Sequence, residues 1–433
     1  MKKLIILAAT MLTVVATYGQ SKELESFNKK LAKNEATIAK KGETAALLVA
    51  KSAIYIDAAN AHTSKLIQGL PLDQTTALIG QPQSTEQVTI ADIKYNKHIF
   101  PHFDLYTNEQ NFVAFWIPKT VVVENALKLS YDVLVKAKSI DPKYFENKGK
   151  GALAAEQLQG LFQTDGMAFY TLNKSKEASV LFLQSVHAGE LFNSLDTTYL
   201  YYAGIASLED KNLTQAQGIF EKLLSVDYTQ EGMVYFYLSQ IFMDSKDYNN
   251  AIETLETGFA KFPGNKTLLN STINAYVLAK KDQSKIIELI KQAQSLDTAN
   301  ISLILVEASI FNEMGDKPSA YKSLERASKQ DPLYFSAYYN YAIMKILEAE
   351  DLRKDAEKLD INDTDGYNKM LALSFSAQKD AIVKLEKAHE LQPKNFDVVD
   401  LLKQLYFPRR DEAKEQYEKY EKLALELSAA PAE

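Results

Sequence analysis

Small and apolar residues recur in a fixed pattern along the middle of the chain. Each copy has a small residue, an aromatic residue soon after it, an alanine, an aromatic residue or leucine four positions on, and a small residue three further. By subtraction the alanine slots lie 38, 35, 35, 34 and 61 positions apart. A period of about 34 residues predicts an array of antiparallel helix pairs. The alanine slots are Ala178, Ala216, Ala251, Ile286, Ala320 and Ala381.

Helical and strand patterns divide the rest of the chain into consecutive segments. Apolar residues at helical spacing predict helices on both sides of a stretch that contains several prolines and short strand-like runs. After the repeats, a strongly charged helical pattern predicts a cap over the end of the array. The segments are 1–19 (signal peptide), 20–69 (helical pair), 70–118 (small β insertion), 119–151 (helix and linker), 152–395 (repeat array) and 396–433 (capping helices).

The β insertion is predicted from two runs of strand-forming residues. His102–Tyr106 and Phe112–Trp116 are joined by the polar connector Thr107–Asn111, as in a β-hairpin. Val88–Tyr95 is a candidate for another strand. Because an isolated hairpin is barely stable in water, the insertion must pack on the neighbouring helices. We expect the lone Trp116 to anchor it there.

The last step of the pattern is longer than the others by about 27 residues. The excess lies near 347–377, in a sequence rich in strong helix formers. We therefore predict that the last repeat has two lengthened antiparallel helices, which turn around Asn362–Gly366.

The slots resemble those of the tetratricopeptide repeat over roughly Ala152–Pro393. Small residues at the crossing of two helices allow close approach, and aromatic residues fill the space beside them. The resemblance implies an all-α, right-handed tetratricopeptide α-solenoid with a small β-hairpin insertion near the N-terminus. The first copy includes Gly166, Ala178 and Phe182, the second Gly204, Ala216 and Phe220, the degenerate fourth Asn274, Val277 and Ile286, and a weaker preceding copy Leu134, Ala137 and Pro142.

The whole chain also resembles exported tetratricopeptide proteins of Bacteroidetes. Those proteins begin with a signal peptide and share the long-helix penultimate repeat and an ending like Ala388–Pro393. The resemblance implies a protein of the envelope or periplasm. It supplies no catalytic residues that carry over to this chain.

In the tetratricopeptide family the first helices of the repeats line a concave groove. The matching positions hold no lysine or arginine, so the family's basic clamp for peptide carboxylates is absent. Aromatic and amide side chains suit an extended or helical peptide. The alternative is that several tyrosines pack between adjacent repeats. The candidate partner-binding residues are Tyr201, Tyr202, Phe236, Tyr237, Gln240, Met243, Leu305, Ser309, Asn312, Tyr339 and Asn340.

The N-terminus has the layout of a secretory signal peptide. Lys2 and Lys3 precede an apolar run from Leu4 to Ala16, and small residues stand one and three positions before Gln20. The run is short for a membrane span, so we expect cleavage and no stable membrane insertion afterwards. An uncleaved anchor is the alternative. We expect an exported protein that is periplasmic or peripherally associated with the outer membrane.

The net charge and the absence of cysteine exclude several classes of partner and site. The formal net charge of −7 argues against nucleic acid, whose phosphates need a basic surface. The chain has no cysteine, which excludes disulfides, thiolate metal sites and a lipid-modified cysteine. His98, His102 and Asp104 are a candidate metal site. The segment between the two histidines is not expected to be helical, so their four-residue spacing is no evidence that they share a metal ion. No cofactor or catalytic residue is expected.

The sequence is compatible with three functions. The first is a scaffold that binds a protein or peptide of the cell envelope in its groove. The second is a structural subunit of an envelope complex that uses the β insertion or the long-helix insert. The third is an enzyme or small-ligand-binding protein with its site near the β insertion.

Overall fold

Helices form most of the molecule. The computed structural model describes residues 22–429, so the predicted signal peptide lies outside the described residues. The described residues divide into two compact units, 22–245 and 246–429. The predicted all-α repeat fold with a small β insertion is confirmed. Within residues 22–429, no helix has both the length and the apolar character required to cross a membrane.

Unit 1 contains the β insertion and the first repeats. Its strands are β1 (Ser84–Ile90), β2 (Ile93–Ile99), β3 (Phe103–Thr107) and β4 (Val113–Pro118). Its helices are α1 (Lys22–Lys41), α2 (Ala45–Ala59), α3 (Leu72–Ile79), α4 (Ala126–Ile140), α5 (Lys150–Thr171), α6 (Ser175–Glu190), α7 (Thr197–Glu209), α8 (Leu213–Ser225) and α9 (Met233–Asp244).

Unit 2 contains the later repeats and the closing pair. Each helix packs on the next along the chain, so the unit grows by stacking neighbours. Its helices are α10 (Tyr248–Lys261), α11 (Lys266–Leu278), α12 (Gln283–Leu296), α13 (Ile301–Glu313), α14 (Lys317–Gln330), α15 (Phe335–Glu357), α16 (Thr364–Leu391), α17 (Phe396–Tyr406) and α18 (Lys414–Ala429).

Short polar turns join the two helices of a repeat. The first helix ends at a residue with positive φ, such as Lys211 or Gly315, which turns the chain out of the helix. An Asn or Asp then begins the second helix. Asn212 accepts a hydrogen bond from the backbone N–H of Gln215, and Asp316 accepts one from Ser319. These caps fix where each second helix starts.

Glycine fills the small slot of two repeats in unit 1, where a phenylalanine ring lies against the backbone. A Cβ added at Gly166 would lie 2.7 Å from the ring of Phe182. At Gly204 it would lie 2.8 Å from the ring of Phe220. Both rings are fully buried. The absence of a side chain at these positions is therefore what lets α5 approach α6 and α7 approach α8.

The helices α2 and α4 form a further repeat-like pair in which the turn is replaced by the β insertion. Leu48 and Ile56 of α2 share a buried cluster with Leu134 and Ala137 of α4. Leu134 and Ala137 belong to the weaker copy of the pattern. The segment 60–125, which contains α3 and the sheet, therefore connects two helices that pack against each other.

The insertion is a four-stranded antiparallel meander with strand order β1-β2-β3-β4. The predicted hairpin is present as β3 and β4, with a register irregularity near Thr107. The prediction of one strand over Val88–Tyr95 is wrong, because this segment crosses the turn between β1 and β2. Ala91 and Asp92 both have positive φ there, so the chain reverses without a glycine.

The register of the degenerate fourth copy differs from the sequence alignment by one position in its first helix. Asn274, assigned to the small slot, is exposed, whereas Ile273 is buried beside Ile286. Counting back from the positive-φ residue Lys280 as in the other repeats gives Ile273. The turn has one additional residue, Lys281, before α12. The corrected register places Tyr276 in the aromatic slot.

The long-helix insert is a helical hairpin in which α15 and α16 extend past the usual turn. Buried alanines at Ala342, Ala349 and Ala356 recur every seven positions along α15. The hydroxyl of Ser374 donates to the backbone carbonyl of Ala349 at 2.7 Å. Small residues thus hold the two helices close along their added length. The turn occupies 358–363, slightly before the predicted position.

Candidate functional site

The α7–α9 surface, formed by Tyr201, Tyr202, Phe236, Tyr237, Gln240 and Met243, contains the predicted partner-binding residues of unit 1. All six are partly exposed, and α7 contacts α9 directly. The rings of Tyr201 and Tyr237 lie 6.1 Å apart, which joins the two helices at the centre of the surface. Burial, followed by the neighbouring Tyr237, raises the pKa of Tyr201.

Two tyrosines of the α7–α9 surface also pack between adjacent helices. Tyr202 lies 6.0 Å from the ring of Phe182, and Tyr237 stacks on Phe220 at 5.6 Å with an angle of 11° between the rings. Each tyrosine therefore contacts the phenylalanine of the preceding repeat. The alternative of packing between repeats applies to both of them, and replacing either would disturb the core as well as the surface.

Phe236, Gln240 and Met243 form the more separable part of this surface. Among the described residues, Phe236 and Met243 lie outside the buried apolar cluster of α6–α9 and its partly buried surroundings, and Gln240 is partly exposed. Phe236 meets the ring of Tyr237 edge to face at 5.3 Å. Spaced along α9, these side chains offer an aromatic ring, an amide and a flexible thioether on one helix. Their exposure makes them suited to contact another chain.

The β insertion covers the corresponding surface of α5, which sequence reasoning missed. Tyr106 and Phe115 of the sheet share a buried cluster with Ala168 of α5. A cavity of about 580 Å³ remains between them, lined by Gln163 and Met167 of α5 among others. By repeat position these two match Tyr201 and Ile205 of α7. The accessible first-helix surface of unit 1 therefore begins at α7.

Trp116 packs against a second apolar cluster of the sheet, away from Tyr106 and Phe115. It lies against a buried cluster that contains Phe103, Leu105 and Val113, together with Leu66 from the segment after α2. Its indole also lines the cavity beside α5. These contacts fit the expected role of Trp116 as an anchor of the insertion.

In unit 2 the predicted residues lie on α13 and α15. Leu305 packs on a small cluster that includes Ile304 and Ala337. Tyr339 stacks on Phe335 at 5.5 Å and packs against the core formed by the last helices. Ser309 and Asn340 are exposed and Asn312 is partly exposed. The only aromatic ring among these predicted positions thus has a clear packing role, and the exposed remainder is small and polar.

The candidate metal residues of the sheet have other partners. His98 is buried, with Nδ1 2.9 Å from the hydroxyl of Thr85 and Nε2 3.0 Å from that of Thr107. Burial lowers the pKa of His98 and favours the neutral ring. Asp104 pairs with Lys119 at 2.9 Å. Among the described residues, no group of three potential ligands is placed to hold a metal ion.

His102 is instead stacked on another histidine. Its ring lies 3.9 Å from that of His62, nearly parallel, and its Nδ1 is 2.8 Å from the hydroxyl of Thr120. Burial lowers the pKa of His62, and the proximity of His102 lowers it further. The pair connects the turn after α2 to the loop before β3.

No family model and no curated protein match the chain. Solved structures with partial similarity include residues 41 to the end of MamA from Desulfovibrio magneticus RS-1, which is 18% identical with a TM-score of 0.36 over 40% of this chain and 95% of that chain. Another MamA crystal structure is 19% identical with a TM-score of 0.34 over 47% of this chain and 98% of that chain. Similarity at this level assigns no function.

Proposed function

We propose that the protein is an exported helical-repeat scaffold that binds a segment of another cell-envelope protein on the α7–α9 surface, without catalysis. The observation that carries the proposal is the partly exposed strip of Phe236, Gln240 and Met243 beside rings that are fixed by the repeat core. A rigid aromatic platform gives contact area at little cost in side-chain entropy. The sheet over α5 limits this binding surface on one side, so the bound segment would lie along α7 and α9.

The first test is capture of partners in the native envelope. The full-length chain, which is expected to begin at Gln20 after export, is expressed with a C-terminal tag, crosslinked and purified, and the co-purifying proteins are identified. The variant Phe236→Ala/Met243→Ala is compared with Val226→Ala, which removes an exposed apolar side chain after α8. We expect the double variant to lose a partner that the control retains, at equal thermal stability. Retention by both would overturn binding on this surface.

Export is part of the same proposal and has its own test. The supporting observation is the layout of residues 1–19, with two lysines before an apolar run. Full-length protein and a variant without residues 2–19 are compared by cell fractionation and N-terminal sequencing. We expect the full-length chain in the periplasmic or outer-membrane fraction, beginning at Gln20. A chain that keeps its first residues in the cytoplasm would count against export.

A second candidate function is that of a structural subunit, because the long-helix insert exposes several large apolar side chains. Leu347, Leu373 and Phe375 are each about half exposed, and Ile361 in the turn is 95% exposed. Exposed apolar groups of this kind mark interaction surfaces. Replacement of Ile361 and Leu373 by serine would then abolish co-purification of a complex, whereas Phe236→Ala/Met243→Ala would leave it intact.

A further inference from the structure

Unit 1 contains a second cleft, the Asp165 cleft, between the start of α4, the middle of α5 and the first half of α6. Its volume is about 580 Å³, within the range of small-ligand sites. The segment that leads from β4 to α4 forms another wall. The apolar part of the lining comes mainly from Pro118, Val121, Phe162, Phe169, Val180 and Leu181.

Asp165 places a carboxylate in this apolar cleft. Its side chain is enclosed by protein over most of its surroundings but keeps an accessible part that lines the cleft. Throughout residues 22–429, no group donates a hydrogen bond to it and no cation pairs with it. Burial raises the pKa of Asp165 to about 6. A largely enclosed carboxylate without a partner is unfavourable, and a ligand that brings a positive charge and N–H donors would remove that cost.

The other charged groups of the cleft lie at its rim and offset one another. Lys128 is mostly exposed and pairs with Asp132 at 3.2 Å on the same helix. Lys176 and Glu177 are adjacent and exposed in the first turn of α6. The interior therefore carries one negative charge with no protein counter-charge. An anionic ligand would meet repulsion from Asp165, whereas a cationic one would find its partner there.

We propose that the Asp165 cleft binds a small amphiphilic amine, with its ammonium group on the Asp165 carboxylate and its apolar body against Phe162, Phe169 and Val180. An ammonium supplies three N–H donors and the opposite charge, which the protein itself does not provide. A charge-assisted hydrogen bond inside an enclosed site is stronger than one at the surface. The apolar walls favour a ligand with an apolar body over one that consists only of a charged head.

The experiment uses three probes that share one apolar body. The purified chain from Gln20 to Glu433 is titrated at pH 7.5 with 4-phenylbutylamine, 4-phenylbutanol and 4-phenylbutyrate, with binding followed by calorimetry. Wild type is compared with Asp165→Asn and with Glu156→Gln, which removes an exposed carboxylate from the same helix. We expect the amine to bind wild type and Glu156→Gln about tenfold more tightly than the alcohol, and the butyrate to bind least.

Asp165→Asn identifies the role of the carboxylate. We expect this variant to lose the preference for the amine while binding the alcohol as wild type does. Val180→Phe, at the exposed edge of the cleft, is expected to weaken both probes and so to locate the site. Equal affinity of the amine for wild type and Asp165→Asn would overturn the proposal, as would absence of binding by all three probes. Neither result bears on the α7–α9 surface.

Discussion

The side-chain oxygens of Ser52 and Ser130 lie 2.7 Å apart in the fully buried contact of α2 with α4, although 78 positions separate them in sequence. Ser130 stands four positions before Leu134, in the slot that alanine fills elsewhere. Ser52 stands opposite it, in the place of the small residue. The two serines thus mark the crossing point of a repeat whose turn carries the sheet.

A double-mutant cycle on these serines tests the pairing. Ser130→Ala alone leaves the buried Ser52 hydroxyl without its partner and should lower the free energy of unfolding by about 1 kcal/mol. Ser52→Ala should cost less, because the Ser130 hydroxyl also donates to the backbone carbonyl of Ser52 at 3.4 Å. The double variant should cost less than the sum of the two single changes, because both polar groups are then removed. Chemical denaturation monitored by circular dichroism measures this. Strict additivity would indicate that the hydroxyls do not interact.

The contact of Gly204 with Phe220 gives a second prediction. Gly204→Ala should lower the stability of unit 1 by about 1–3 kcal/mol, because the new methyl group meets the ring. Phe220→Leu added to Gly204→Ala should restore part of the loss, since alanine and leucine fill these slots in the repeat of Ala308 and Leu324.

The matched control for Gly204 is Gly218 on α8. A Cβ there meets no atom within 4 Å, so Gly218→Ala should raise stability by up to about 1 kcal/mol through higher helix propensity. Thermal unfolding of the three variants and wild type provides the comparison. If Gly204→Ala and Gly218→Ala behaved alike, close packing of the first helix on Phe220 would not be the reason for glycine.

The alanine spacing of the long-helix insert gives a third prediction. Ala349→Leu should separate α15 from α16 and disturb the bond from Ser374, at a cost of about 1–3 kcal/mol or more. Glu350→Leu introduces the same side chain at the adjacent exposed position and should change stability by less than about 0.5 kcal/mol. Thermal unfolding checks both. A similar effect of the two changes would contradict close packing at Ala349.

The pH dependence of stability should reveal the state of Asp165. Its pKa is raised to about 6 in the folded protein, so between pH 4 and 6 the folded state binds more protons than the unfolded state. The carboxylate therefore destabilises the fold above pH 6, by on the order of 3 kcal/mol. Asp165→Asn should be more stable than wild type at pH 7.5.

That advantage of Asp165→Asn should shrink as the pH falls through 6 toward 4. The charged groups around the cleft are Lys128, Lys176 and Glu177, all exposed. Buried His98 has the opposite sign: its lowered pKa means that stability is lost as the pH falls below about 6.5, in both proteins. Its effect cancels in the difference. An advantage that is constant between pH 4 and 7.5 would show that Asp165 is not buried.

Local patterns were sufficient for the helix pairs but not for contacts between distant segments. Repeat positions such as Gly166 and Phe182 can be recognised by residue type and spacing, because the crossing of two helices requires a small residue beside a large apolar one. Ser52 carries no such signal, since a serine in a helix is usually exposed and its partner lies 78 positions away. The docking of the sheet on α5 could not be predicted either, because Tyr106 and Phe115 contact Ala168, which is distant in sequence.

Turns without glycine caused the remaining errors. Ala91 and Asp92 reverse the chain with positive φ, so Val88–Tyr95 resembled one continuous strand. One additional residue at Lys281 shifted the first helix of the fourth copy. For the candidate site, the sequence pattern selected Phe236 together with Tyr202 and Tyr237, because contact with the phenylalanine of the preceding repeat depends on the neighbouring helices and not on the residue type.

The two interruptions of the array fall at the same point of the repeat. Twelve positions separate Gly204 from Ala216 across an ordinary turn, whereas 39 separate Ala342 from Ala381 and 78 separate Ser52 from Ser130. In each case the paired helices remain in contact, and the entropic cost of a longer closed loop rises only slowly with its length. This turn is therefore an acceptor site for engineering. A fluorescent domain or an epitope with closely spaced ends, grafted at Lys211 or Gly315, should leave the helix pair assembled.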